Sequence, residues 1–268
     1  MSFNEIIIWV MAIGVLIGAI DRIIGNKFGL GEKFEEGFNS MGPLALGMVG
    51  IITLTPVIAR VLGPLIIPIF DFIGADPAMF ASILANDMGG YPLAMELAVN
   101  EEAGLLSGLV VASMLGCTLV FSIPVGLGLI EQEDRPFFAK GLLAGMVTIP
   151  FGGLIGGLIA GFDVKMIFIN LIPVIILSLI LIVGLAIMPD LLIKGALIFG
   201  KFIVIVITIG LGAAAFESLT GVVIIPGMAP ISEGIEIVGF IAIILLGTFP
   251  ILHLVVKGLE KPLGKIGQ

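Results

Sequence analysis

Residues 172–188 read Ile-Pro-Val-Ile-Ile-Leu-Ser-Leu-Ile-Leu-Ile-Val-Gly-Leu-Ala-Ile-Met. Apolar side chains fill this run without the every-second-residue alternation that an outer-membrane strand requires. Extended back to Met166, the stretch is long enough for a helix to cross roughly 30 Å of hydrocarbon. Blocks of the same kind occur at residues 3–20, 41–59, 78–99, 103–130, 141–162, 195–216 and 236–256. A shorter stretch, 61–75, is interrupted by Pro64, Pro68 and Asp71 and reads as either a tilted ninth span or a re-entrant segment. The expected fold is all-α: a polytopic transmembrane helix bundle of about 8–9 spans, with a broken helix around residues 82–92.

Composition supports this reading. Of 268 residues, 59% are hydrophobic and 12% charged, where a soluble domain carries about 25% charged residues. A mean hydropathy of +1.28 leaves too few polar side chains to cover a water-facing surface. The longest polar stretch is about 20 residues, well short of the ~50 an independent soluble domain needs. We therefore expect one integral-membrane domain over 1–268. The first apolar run starts with no basic residue before it, unlike a cleaved secretory leader, and is read as a retained span.

Lysine and arginine set the expected orientation. The segments 21–40, 131–140, 189–194 and the tail after 256 carry Arg22, Lys27, Lys33, Arg135, Lys140, Lys194, Lys257, Lys261 and Lys265. The segments 100–102 and 217–233 carry no basic residue, and 163–165 carries only Lys165. These loops alternate sides if an odd number of crossings separates Ser40 from Asn100. The N-terminus is then outside and the C-terminal tail cytoplasmic.

Chemistry is sought at membrane depth, where an ionisable group costs at least ~2.5 kcal/mol and usually has a function or a partner. Asn86 and Asp87 interrupt an apolar stretch and are followed by Gly89, Gly90, Tyr91 and Pro92. Glycine and proline here break or unwind a helix. Freed backbone groups beside a carboxylate suit a small cation, as in the discontinuous helices of transporters; a kinked helix whose Asp87 bonds a neighbour is the alternative. Tyr91 could stack on a cationic ligand. Secondary candidates are Glu96, Lys201, Asp71 and Glu217. Glu96 also reads as an interfacial acid, Asp71 as a headgroup-facing one, and Glu217 as the entrance to the apolar, Gly/Pro-containing loop 221–230. Lys201 reads as a snorkelling lysine or as an ion-pair partner for a buried acid such as Asp87. Gly152, Gly156 and Ala160 share one helix face and permit close packing.

Several function classes are excluded or disfavoured. One cysteine, Cys117, permits no internal disulfide, and one histidine, His253, permits no His-based metal cluster. The net charge of −8 disfavours nucleic-acid binding. The chain has no HExxH pair, no P-loop and no G-x-S-x-G elbow, so an enzyme is not expected. Neither a metal nor a cofactor is expected.

A set of ordered strings resembles the ethanolamine-utilization permease family, EutH. They are Phe34-Glu35-Glu36-Gly37-Phe38 with Met41-Gly42, Leu62-Gly63-Pro64 with Ile66-Ile67-Pro68, Asp87-Met88-Gly89-Gly90, and Val120-Phe121-Ser122-Ile123-Pro124-Val125. Gly145-Met146-Val147-Thr148-Ile149-Pro150, Ile207-Thr208-Ile209-Gly210-Leu211 and Glu260-Lys261-Pro262-Leu263 continue the series through essentially the whole chain. The resemblance implies a multi-pass protein of the bacterial cytoplasmic (inner) membrane that admits ethanolamine. Uptake by such proteins matters chiefly at low pH, and the substrate feeds a cobalamin-dependent lyase pathway, often inside a microcompartment. Members of that family usually continue past the point where this sequence stops, with a second Asn- and Asp-containing motif, so the chain is expected to be shorter than they are at the C-terminus. The implied partners are ethanolamine or a similar small amine and the lipid bilayer, with a second copy of the chain left open. Transport of another small organic solute and a non-transporting assembly or sensing role are the alternatives.

Overall fold

The structure, a computed structural model, describes residues 3–84, 90–118 and 131–266. Its helices in chain order are α1 (Phe3–Ile23), α2 (Leu30–Asn39), α3 (Met41–Ile73), α4 (Ala81–Leu84), α5 (Gly90–Leu97) and α6 (Glu101–Leu105). A π-helical stretch, Leu106–Val111, follows α6. Then come α7 (Leu115–Cys117), α8 (Arg135–Ile159), α9 (Val164–Ile187), α10 (Pro189–Thr220) and α11 (Ile231–Ile266). Among the described residues, six helical segments are long and apolar enough to cross a membrane: Glu5–Ile23, Leu30–Ile73, Lys140–Ile159, Val164–Ile187, Lys194–Thr220 and Ile231–Leu259.

The all-helical membrane fold expected from the composition is therefore present, with a different partition into spans. Stretches 41–59 and 61–75 join as α3, which continues through Pro56, Pro64 and Pro68. Each proline removes one helical N–H, and neighbouring segments can re-satisfy the carbonyls so freed. Next to the Ile52 carbonyl that Pro56 frees, the Thr53 carbonyl accepts the Ala229 N–H at 2.9 Å. Stretch 78–99 is not one span: its described parts are a 3-10 turn at Pro77–Phe80 and the short helices α4 and α5. Of stretch 103–130, the described part ends at residue 118.

Two compact units make up the chain. One comprises Met1–Leu46 and Ser232–Gln268. In it α1 and α11 approach at two glycines: a Cβ on Gly14 would lie 2.2 Å from the Gly247 carbonyl oxygen. Asp21, 2% exposed, accepts the backbone N–H groups of Phe28, Leu30 and Gly31 at 3.0, 2.8 and 3.0 Å. The end of α1 thus satisfies donors that the first turn of α2 leaves without helical partners. Arg22 pairs with Glu35 at 2.5 Å, and Lys33 pairs with Glu36.

The second unit, Gly47–Ile231, holds the remaining helices. Glycines let α8 pack on two neighbours. Gly152 and Gly156 meet Met114 and Val110, while Gly153 and Gly157 meet Leu171 and Ile167 of α9. Along α9, Ile167, Leu171, Val174, Leu181 and Leu185 are buried, whereas Leu179, Ile180 and Val183 are more than half exposed. An apolar outer face of this kind is stable in lipid and costly in water.

Candidate functional site

In the second unit the chain returns at Val99 and Asn100 to where it stood at Asp76, forming a hairpin. A straight helix from residue 76 to residue 100 would separate its ends by about 36 Å. Instead Asp76 Oδ2 accepts the Asn100 N–H at 2.8 Å and the Val99 N–H at 3.1 Å, and Asp76 Oδ1 accepts the Ala78 N–H at 2.9 Å. One carboxylate thus closes the stem, and α4 folds back against α5. Asp76 caps the 3-10 turn, with Pro77 in the first position, where a missing N–H costs nothing. Inside the hairpin, Ala78 and Ala81 pack against Leu93, Ala94 and Leu97.

Neighbouring elements fix the hairpin. The Asp76 N–H donates to Asn170 Oδ1 at 2.6 Å, and Asn170 Nδ2 donates to the Met166 carbonyl at 3.0 Å. Ser107, fully buried, donates its hydroxyl to the Ala78 carbonyl at 2.6 Å. Gly104 and Gly108 lie one turn apart and face α5. A Cβ at Gly108 would sit 2.6 Å from Tyr91 Cα, and one at Gly104 would sit 2.9 Å from Met95 Sδ. The π-helical stretch that carries Gly108 closes a five-residue bond, Ala112 N–H to the Ser107 carbonyl at 2.8 Å. Such π turns concentrate at functional positions.

Two clefts border the hairpin. At the stem, a cleft of about 330 Å³ includes Asp71, Asp76, Asn100 and Asn170. Deeper, Ile83 lines an apolar cleft of about 400 Å³ with Leu181, Gly184, Met188, Gly195 and Ala196. Asn170 marks the stem on α9, and Leu181 and Gly184 mark the deeper level. Those positions are 11 and 14 residues further on, or roughly 16–21 Å along the helix. The hairpin therefore runs from one end of α9 toward the other.

Among the expected site residues, Asn86, Asp87 and Gly89 lie outside the described residues. Gly90 is buried and opens α5, and Tyr91, also on α5, is 38% exposed. Glu96 is an exposed residue of the same helix, toward the stem. Asp71 belongs to the stem cleft. Lys201 and Glu217 line neither cleft. Lys201 is exposed on α10, and Glu217 is half-buried in the last turn of that helix, where its carbonyl accepts the Gly221 N–H at 2.7 Å. Among the described residues no group of three or more His, Cys, Asp or Glu side chains is arranged to hold a metal ion.

Sequence reasoning passed over four polar residues that the fold uses. Asp76 and Asn170 anchor the hairpin, Asp21 caps α2, and Arg60 donates to the Pro226 carbonyl at 2.8 Å. Only Asp76 carried a local signal, an aspartate directly before a proline, which reads as a helix start.

Six helices long and apolar enough to cross a membrane, counted among the described residues, define the class: a multi-pass α-helical membrane protein. The profile of the family described as "Ethanolamine utilisation protein, EutH" matches residues 3–268. A Listeria monocytogenes protein named "Probable ethanolamine permease EutH" is 56% identical over 269 residues, covering 100% of this chain and 72% of that protein. The Salmonella typhimurium protein of the same name is 45% identical over 307 residues, covering 100% of this chain and 75% of its own length. Bacillus subtilis "Uncharacterized protein YxeR" is 48% identical over 269 residues, with 100% and 73% covered. No solved structure matches. The chain belongs to the EutH family. Its named relatives carry the name of a permease rather than of an enzyme.

Proposed function

We propose that the protein is a permease for ethanolamine or a similar small amine, that it works in the bacterial cytoplasmic membrane, and that Asp87 and Asn86 bind the substrate. The observation that carries this reading is the hairpin. Its described ends, Leu84 and Gly90, bracket the segment 85–89 in the chain, and Ile83 lies at the deep cleft rather than at the stem. An amine with a lysine-like pKa near ~10 is almost entirely cationic at neutral pH. Hydrocarbon admits such a cation poorly, and a carboxylate with freed backbone carbonyls compensates for its lost hydration. Asn86 supplies hydrogen bonds to the hydroxyl, and Tyr91 offers an aromatic face. No covalent cofactor or nucleotide enters this reading.

In this reading the N-terminus is outside and the tail inside. Along the chain, α3 alone lies between Ser40 and Asp76, and the hairpin then returns beside Asp76 at Asn100. One crossing between Ser40 and Asn100 is the odd number that the lysine and arginine pattern requires. Glu102 Oε2 accepts the Asp163 N–H at 3.4 Å, which supports a shared side for those two loops.

The test is uptake of labelled ethanolamine into vesicles at mildly acidic pH, comparing the chain, its Asp87→Asn variant and empty vesicles. Uptake above the empty control that drops at least about tenfold in the variant, a loss of ~1.4 kcal/mol or more, supports the reading. Equal uptake in all three, with folded protein in the membrane, refutes it. Competition by other amines and by neutral solutes separates an amine permease from a carrier of another small organic solute.

A further inference from the structure

We infer that Asp76 and Asn170 are positioning residues for the transport site, forming a clasp that fixes the two described arms of the hairpin, Pro77–Leu84 and Gly90–Leu97, against α9. This rests on the permease reading of the same hairpin. The hydrogen bonds converge at the stem. Asp76 gathers the N–H groups of Ala78, Val99 and Asn100, and its own N–H ends on Asn170. Asn170 is 5% exposed, and its amide is oriented by its bond to the Met166 carbonyl. Asn100 in turn caps α6 through the Ala103 N–H at 3.2 Å, so the same knot sets where the helix after the hairpin begins. Ser107 adds a second anchor at Ala78.

Deeper in the hairpin the contacts change character. The hydroxyl of Ser82 bonds within the hairpin, to the Met79 carbonyl at 2.7 Å. Leu93, Ala94 and Gly108 contribute packing there, with no side-chain hydrogen bond among the described residues. Apolar packing of this kind tolerates sliding, whereas hydrogen bonds fix register. The clasp is therefore the place where the register of the described arms against α9 is set. Asp76 and Asn170 act through the segment they hold: both oxygens of Asp76 already accept backbone N–H groups, and the Asn170 amide is engaged on both sides.

Two readouts test the clasp, one independent of transport. In a Cys117→Ala background, Ile83→Cys and Leu181→Cys are joined by a short bifunctional thiol reagent in membranes. The yield is then compared with and without Asp76→Ala or Asn170→Ala. Asn170→Ala removes only the α9 side of the clasp and leaves the stem closed, so it remains informative where Asp76→Ala does not fold. The second readout is KM and Vmax for ethanolamine uptake, normalised to folded protein. Asp76→Asn retains one carbonyl acceptor and serves as the conservative variant.

The expected result is a severalfold lower crosslinking yield in the alanine variants. KM should rise about tenfold, the size expected when a buried donor loses its acceptor, with Vmax within about twofold, and Asp76→Asn should recover part of KM. Unchanged crosslinking and KM in folded Asn170→Ala protein overturn the inference. So does a Vmax loss that merely follows the folded amount. If the unsubstituted chain takes up no ethanolamine, the functional proposal fails and the crosslinking yield alone decides whether the clasp sets the register of the arms against α9.

Discussion

Gly50 of α3 and Gly210 of α10 meet backbone against backbone: a Cβ on Gly210 would lie 2.5 Å from the Gly50 carbonyl oxygen, and one on Gly50 would lie 1.9 Å from the Ile207 carbonyl oxygen. Close approach of this kind gives helices in lipid their contact, since apolar side chains gain little by leaving lipid for one another. Gly50→Val should therefore force the two helices apart at a cost of about 1–3 kcal/mol, the range for overpacking. A thermal melt of the detergent-solubilised protein reads this directly. Gly212→Ala, on the same helix with nothing near its Cβ position, should melt with the unsubstituted protein.

The loop 221–230 is tied to α3 through Arg60, whose guanidinium donates to the Pro226 carbonyl, while Gly227 sits at φ 87 with the guanidinium 2.9 Å from its Cβ position. Alanine at 227 meets both a left-handed backbone and a neighbouring charge, for a cost of about 1–2 kcal/mol. Arg60→Met should free the loop. With Cys117→Ala as background and Val223→Cys as reporter, an impermeant maleimide should label intact cells from outside, and faster once Arg60→Met is added. No labelling of intact cells, with labelling after lysis, would reverse the orientation proposed above.

How much of this was legible before the fold was known depends on how local the cause is. Blocks of apolar residues fix a helical membrane protein because hydrocarbon demands internal satisfaction of every backbone group; the break that Gly89, Gly90 and Pro92 suggest falls at Asp87, outside the described residues. The stem was not. Asp76 and Asn170 are 94 positions apart, and nothing in either neighbourhood names the other. Pro64 and Pro68 suggested an interruption, yet α3 runs through both. Proline weakens a helix by removing donors and does not by itself end one within a membrane protein. The small-residue face at Gly152 and Gly156 was read correctly as a packing surface. The comparable pair at Gly104 and Gly108, which seats the hairpin, lies where glycine is common enough to carry no signal by itself.

Lys201 tests the bland reading of an intramembrane charge. It is exposed on α10, lines neither hairpin cleft, and makes no ion pair among the described residues. Its position is seven residues into the candidate span that starts at Lys194, about 10 Å along the helix, within reach of the interface by snorkelling. Lys201→Met should leave ethanolamine uptake within about twofold and stability within ~0.5 kcal/mol, as for surface changes generally. A tenfold loss of uptake at unchanged abundance would instead put the ammonium on the substrate path.

Gly108 offers the sharpest test of whether the hairpin, rather than the bundle around it, governs transport. Its Cβ position lies 2.6 Å from Tyr91 Cα and 3.0 Å from Ala94 Cβ, so a larger side chain must displace the first turn of α5, which begins directly after the Asp87 segment. Because the obstruction is backbone, no rotamer change relieves it, and overpacking of this sort costs about 1–3 kcal/mol. Gly108→Val should therefore reduce uptake at least about tenfold while the protein still reaches the membrane, since the glycine contacts of α8 with α9 lie elsewhere. Gly145→Ala, where nothing stands within 4 Å of the added Cβ, is the matched control and should transport normally. Uptake by Gly108→Val equal to that of the control would mean that the position of α5 does not limit passage, and the transport site would have to be sought away from the hairpin.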